Sequence, residues 1–366
     1  MSISEALAAR QWRSSPTFQT FRVGLFGTPF NSAITIATLA LLGWAVPPLL
    51  RWGILDATWT GTSRDCAAAS GACWAFVGAK FRFILFAFYP PVLQWRPLLV
   101  MLLLLALLFF SAQPRFWRKR LLVAWFAVIG LSWTLMSGTL LPPTVPSSQW
   151  GGLVVTLLVW SICFGLATPL AILLALARRS GMGGLRTLAV VFIELMRGTP
   201  MVAILYVAVL ILPMAVPNGQ LIDKSVRAII MIALFWSAYL AEVVRGGLQV
   251  IPTGQYEAAT ALGLGYWRTM RLVVLPQAFR LVIPGVVNLA IGFLLATSLL
   301  AVIGIFDLLN AARSSATDPQ WLGYYDEAYL FVGFVYFALC FGGSRYSLWL
   351  ETYLRRPDRG RSAPHG

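Results

Sequence analysis

The sequence predicts an all-α, polytopic membrane protein of about eight transmembrane helices, and three observations carry the prediction. The first is composition. Hydrophobic residues make up 59% of the 366 positions and charged residues 11%, against about 25% charged in a soluble domain. A soluble chain of this length needs a polar coat that these residues do not supply. The second is run length. Leu98 to Phe110 contains no polar residue, and Ile34 to Leu50 is broken only by Thr35 and Thr38. With their flanks, such runs reach the roughly 20 positions a helix needs to cross a bilayer core. Helices are favoured there because lipid offers no partner to a backbone N–H or C=O. The third is where the charge lies. The net charge is +15, but the basic residues sit mostly between the apolar runs. That pattern points to membrane topology rather than to a nucleic-acid partner.

Taken in order, the spans cover roughly 30–50, 97–112, 121–141, 151–177, 187–212, 226–245, 281–306 and 328–350. The second has the least definite start, within Phe83 to Leu93, because Pro90, Pro91 and Pro97 each interrupt helix hydrogen bonding. No short apolar core followed by a small-residue cleavage site precedes the first span, which therefore reads as a retained anchor. With the N terminus placed in the cytoplasm, alternation puts these basic residues on one side: Arg10, Arg13 and Arg22; Arg115, Arg118, Lys119 and Arg120; Arg178, Arg179 and Arg186; Arg245, Arg268, Arg271 and Arg280; Arg355, Arg356, Arg359 and Arg361. That is about 18 of the 28 positive residues and sets both termini in the cytoplasm. Topology explains these clusters first, and lipid headgroup binding is the second reading.

The longest external loop runs from Arg51 to about Lys80 and holds Cys66 and Cys73. An oxidising compartment would allow them to form a disulfide, although spacing alone does not establish pairing. Metal binding is not expected of them, since the only histidine is His365 in the tail.

The most informative stretch lies between spans six and seven. Residues 254–262, with Gly254, Glu257, Ala258 and Ala259, favour a short helix. Gly263 and Gly265 are suited to end it with positive φ. Trp267 to Val274 favours a second helix, which Leu275-Pro276 stops or kinks. The expected product is a cytoplasmic helical hairpin presenting small alanines and one carboxylate, a shape another protein's groove can approach closely.

These residues carry a resemblance. Glu257-Ala258-Ala259, Gly263 four positions later, and Leu275-Pro276 resemble the EAA loop of ABC importer permeases. The wider string Ala238-Tyr239-Leu240-Ala241-Glu242-Val243-Val244-Arg245-Gly246-Gly247, with Gln277-Ala278 and Met196-Arg197-Gly198-Thr199-Pro200, resembles the polar amino-acid permease family. Trp44 to Trp52 with Pro47-Pro48, and Gly71-Ala72-Cys73-Trp74-Ala75-Phe76, resemble the longer permease subunit of the general L-amino-acid transporters.

The resemblance implies a five-helix type I importer core over about residues 145–350, with its coupling loop at 246–280. Ahead of it would come a cytoplasmic segment 1–29 and extra helices over 30–144 containing loop 51–80; a cytoplasmic tail 351–366 would follow. It further implies an ABC ATPase subunit dimer that grips the loop, a second, non-identical permease subunit, a periplasmic amino-acid-binding protein and a bacterial inner-membrane location. No G-x-x-x-x-G-K-[ST] phosphate loop occurs in the chain. No cofactor is therefore expected on this chain, and ATP and Mg are expected on the partner ATPase.

Candidate pathway residues are Glu194, Arg197, Thr199, Glu242, Thr297 and Ser298. Arg197 lies about ten residues into span five, and a charge at such a depth usually faces protein or water. Two readings stand: pairing with Glu194, one turn earlier, or with Glu242; or contact with a substrate carboxylate. Gly198 and Pro200 are suited to break the helix, as at many transporter sites. In span seven, Leu295-Ala296-Thr297-Ser298 keeps two hydroxyls but lacks the Lys-Asp charges often found in the family, which implies a less polar wall and substrate contacts supplied mainly by the paired subunit. An ion-gradient-driven secondary transporter is the alternative function, but it needs mid-membrane titratable groups that are scarce here. A structural scaffold leaves the glycine-punctuated loop unexplained, and an enzyme lacks any cluster with catalytic spacing.

Overall fold

In the computed structural model, residues 22–215 and 222–355 are described. The expected positions of Arg10, Arg13, Arg356, Arg359, Arg361 and His365 lie outside them. Among the described residues every regular element is helical, and extended pairing is limited to two isolated bridges, Thr58 with Cys73 and Gly151 with Phe306. The chain divides into two compact units, Met1–Gly78 and Ala79–Gly366.

The first unit contains α1 (Pro29–Leu50), α2 (Ser63–Ala68) and the start of α3 (Trp74–Phe86). Thr28 caps α1 by accepting the Asn31 N–H at 3.1 Å, and α1 has no buried residue. Its apolar side chains point outward all round, as a helix solvated by lipid requires. The loop beyond it is tightly tied. Trp74 donates its indole N–H to the Gly53 carbonyl at 2.7 Å, Trp59 stacks on Trp74 at 6.0 Å, and Asp65 completes a capping box with Thr62.

The second unit carries the remaining spans. They are α4 (Trp95–Ser111, entered through a 3₁₀ turn at Pro91–Leu93), α5 (Lys119–Ser137) and α6 (Gly152–Arg178), then the pair α7 (Gly183–Gly198) and α8 (Met201–Tyr206), then α9 (Lys224–Val250). A helical hairpin follows as α10 (Thr253–Ala261) and α11 (Tyr266–Thr269), then α12 (Leu275–Ala296), α13 (Leu308–Ser315) and α14 (Tyr325–Arg355). Among the described residues, seven helical segments are long and apolar enough to cross a membrane; α7 with the segment Met201–Met214 makes an eighth if that bent pair is one span.

Helices α6 and α9 form the centre of the unit. On α6, Ala167, Ala171 and Ala175 are buried at four-residue spacing; on α9, Ala228, Ala238 and Ala241 are fully buried. Such small side chains let backbones approach closely, which matters where lipid supplies no hydrophobic drive between helices. Helix α9 also packs on α12 and α7, and α12 on α14. The start of α6 is anchored by the Gly152 N–H donating to the Phe306 carbonyl at 2.8 Å and the Leu308 N–H donating to Thr156 Oγ1 at 2.9 Å.

One span is broken where Gly198 and Pro200 were suited to break it, and another begins differently from the sequence expectation. In the run 187–212, α7 and its continuation meet at 104°. Pro200 at the start of α8 has no N–H to give the preceding turn, and Thr199 takes an extended conformation. The run 281–306 does not begin after a break at Pro276. The helical path is unbroken from Tyr266 to Ile303, through a π turn at Met270–Val274. That turn shifts the hydrogen-bond register just ahead of Pro276, a local π adjustment that lets the helical path pass the proline.

Candidate functional site: a helical hairpin and a shared-carboxylate cluster

Helix α10 ends in a full Schellman motif. The Leu264 N–H donates to the Ala259 carbonyl at 3.0 Å and the Gly263 N–H to the Thr260 carbonyl at 2.9 Å. Gly263 supplies the required left-handed residue at φ +71°. Gly265 does not share that role: with φ −68° it is the extended N-cap of α11. Residues Gly254, Glu257 and Ala258 are exposed, as expected for a docking surface, but Ala259 is 2% exposed. The alanine face is therefore split. Ala258 and Ala261 look outward, while Ala259 lies on the opposite side of the helix, toward the π turn against which α10 packs.

The hairpin is firmly joined to the bundle. Gln277 donates its side-chain N–H to Gln255 Oε1 at 2.9 Å, Val274 is fully buried, and Leu275 and Pro276 open α12 directly. Gly247 explains how α9 and α12 come so close here. A Cβ at that position would overlap the Val282 side chain and crowd the Ala278 carbonyl.

The second feature is ionic. Glu242, on α9, has a side chain 15% exposed and faces three guanidinium groups: Arg178 at 2.7 Å, Arg245 at 2.8 Å and Arg197 at 3.8 Å. Arg178 also reaches Glu194 at 3.0 Å. The pairing of Arg197 with Glu242 was one of the sequence readings; the pairing with Glu194 is not made, because Glu194 turns to Arg178 instead. Arg197 further packs over the Tyr239 ring at 5.7 Å. The cluster ties the end of α6 to α7 and α9 and carries two carboxylates against three arginines. Arg178 and Arg245 were legible in the sequence only as basic residues marking the inner side. Their role depends on three distant segments meeting.

The hydroxyl candidates contribute less. Thr199 Oγ1 donates to the Leu195 carbonyl at 2.7 Å, capping the broken end of α7. Thr297 is fully buried and donates to the Leu294 carbonyl at 2.6 Å; Ser298 donates to the Leu295 carbonyl at 2.9 Å. Both begin a 3₁₀ turn, Thr297–Ile303, that packs on α8, so the structure sets them beside the helix break but turns their hydroxyls onto their own backbone. Thr297 is thus shielded rather than part of an open wall.

In the loop between α1 and α3, Cys66 and Cys73 form a disulfide with Cα atoms 5.5 Å apart. Within the second unit, Lys80 pairs with Asp318 at 2.6 Å. That lysine, with the Gln320 backbone N–H, holds the Asp318 carboxyl below its usual range. Among the described residues, no three His, Cys, Asp or Glu side chains are grouped to hold a metal ion.

Comparison with known proteins adds the following. A family model described as "Binding-protein-dependent transport system inner membrane component" matches residues 167–356. An Escherichia coli (strain K12) protein described as inner membrane amino-acid ABC transporter permease protein YhdY is 43% identical over 96% of this chain and 96% of its own length. The Rhodobacter capsulatus protein described as glutamate/glutamine/aspartate/asparagine transport system permease protein BztC is 35% identical over 92% and 94%. Among solved structures, an amino acid ABC transporter with histidines aligns over 55% of this chain and 92% of its own, at 28% identity and TM-score 0.49.

Proposed function

Since the chain belongs to the family of binding-protein-dependent transport system inner membrane components, we propose that it is the permease subunit of an ATP-binding-cassette importer for polar L-amino acids. The exposed hairpin carries this reading. It presents Glu257 and Ala258 on a short ordered helix, Thr253–Ala261, which a tight turn at Gly263 joins to the continuous helical path Tyr266–Ile303. In this reading a dimer of ATPase subunits holding ATP and Mg grips α10 from the cytoplasm. Closing the ATPase dimer moves α10, and α12 and α9 follow because Gly247 and Gln277 leave no slack. Both termini are cytoplasmic, the disulfide loop is periplasmic, a second, non-identical permease subunit completes the pathway, and a periplasmic amino-acid-binding protein delivers substrate. The names of the two relatives with near-complete coverage support the amino-acid class.

Within the charge cluster, Arg197 is the most loosely held cation: it is 37% exposed and sits 3.8 Å from Glu242. It lies beside the helix break, where backbone groups are freed to meet a ligand. It is the group this reading assigns to a substrate carboxylate.

The test is uptake in proteoliposomes holding this chain, its co-purified subunits and a binding protein. Uptake is expected to require ATP and the ATPase. Glu257→Lys is expected to abolish it while the chain still inserts in the membrane. Uptake driven by a proton or sodium gradient alone, without any ATPase, overturns the importer reading in favour of secondary transport.

A further inference from the structure

The connector between α4 and α5 is unlike the rest of the chain. Arg115, Arg118, Lys119 and Arg120 are all exposed, and among the described residues none makes an ion pair. No Asp or Glu occurs anywhere between Asp65 and Glu194, so no acidic residue is near in sequence to neutralise them. Two of these cations also begin a helix whose N-terminus has no side-chain cap and no acidic residue in its first turn. Positive charge there is set against the helix dipole, an arrangement that an external anion relieves.

The same place is apolar on its lipid side. A groove of about 360 Å³ lies between α4 and α5, lined by Leu103, Leu107, Phe110, Leu121 and Val128, with Arg120 among its walls. Its lining is hydrocarbon except at the cationic end. The connector is also fixed. Trp117 donates its indole N–H to the Ser111 carbonyl at 2.8 Å, Trp125 donates to Ser111 Oγ at 2.9 Å, and Ser111 donates to the Leu107 carbonyl at 2.7 Å. Exposed Phe116 and Trp117 flank the cations, the residue types that settle at a membrane–water interface.

We propose that this groove is a binding site for an anionic phospholipid. Its phosphate is held by Arg118, Lys119 and Arg120 at the uncapped start of α5, and one acyl chain lies between α4 and α5. A basic rim above an apolar interhelical groove is the pairing that such a ligand's two halves require. The site stands on these residues alone and is independent of the transport reading. It lies on the helices preceding the matched family region, residues 167–356.

The experiment uses the full chain in nanodiscs of mixed phosphatidylglycerol and phosphatidylcholine, with a photoactivatable acyl chain on one lipid at a time. Crosslinked peptides are then mapped. Phosphatidylglycerol is expected to label residues 103–128 at least fivefold more than phosphatidylcholine. The triple variant Arg118→Gln, Lys119→Gln, Arg120→Gln is expected to remove that preference. Ala124→Phe, which fills the groove and keeps every charge, is expected to remove labelling by both lipids there. Equal labelling by the two lipids in the unaltered chain overturns the proposal, whatever the variants do. So does a preference that survives Ala124→Phe, which marks surface charge alone, and so does crosslinking of the groove to another protein segment in place of lipid.

Discussion

The shared carboxylate of Glu242 gives a quantitative test. Arg178 donates through one nitrogen to two acids, Glu242 at 2.7 Å and Glu194 at 3.0 Å. The distances are similar, but the surroundings are not: the Glu242 side chain is 15% exposed and that of Glu194 55%. A charge-assisted bond in a shielded setting is worth about 1.5–3 kcal/mol, whereas an exposed ion pair is worth about 0.2–1 kcal/mol. Double-mutant cycles built from Arg178→Gln, Glu242→Gln and Glu194→Gln separate the two. The assay is reversible unfolding of the purified chain in mixed micelles. The Arg178–Glu242 coupling is expected to exceed the Arg178–Glu194 coupling by about 1 kcal/mol or more. Glu242→Gln alone is expected to cost more than either coupling, since it also strands Arg245. Equal couplings, or a larger one for Glu194, would refute the claim that burial rather than contact distance sets the strength of this cluster.

Other consequences follow from single features. Gly263→Val places a β-branched residue at φ +71°, which costs about 1–2 kcal/mol; weaker co-purification of the ATPase with normal membrane insertion is the expected result. Replacing Cys66 and Cys73 by alanine opens a crosslink with sequence separation 7 and is expected to lower stability by about 2.5 kcal/mol, from the chain entropy of so short a loop. Faster proteolysis of residues 56–73 would report it. The Lys80–Asp318 pair predicts a pH effect. Asp318 has a folded-state pKa below its ordinary value, so its contribution is present at neutral pH and is lost as pH falls through the folded-state pKa. Hydrogen exchange around residues 316–323 is expected to accelerate at low pH in the unaltered chain, and Asp318→Asn to exchange fast at both ends of the range.

The hairpin shows how far local information reaches. Its first helix, the glycine at its end and the exposure of Glu257 were all readable from residues 253–263, because capping and turn geometry depend on neighbours in the chain. The passage through Pro276 was not. A proline signals a stop unless something upstream changes the hydrogen-bond register, and the π turn at Met270–Val274 does so. The helix break at Thr199-Pro200 was legible for the opposite reason: nothing there absorbs the proline.

Sequence alone determined the class of molecule, the approximate spans and the helical hairpin, since apolar run length, basic-residue placement and short-range capping are properties of contiguous residues. Only the tertiary structure decided that Arg178, Arg197 and Arg245 converge on Glu242, that Ala259 is buried, and that Thr297 is shielded while Arg197 remains accessible. Those outcomes depend on which helix faces meet. Alanines on α6 and α9 and the missing side chain of Gly247 set that geometry by allowing close approach. A backbone separation of that kind belongs to pairs of helices far apart in the chain.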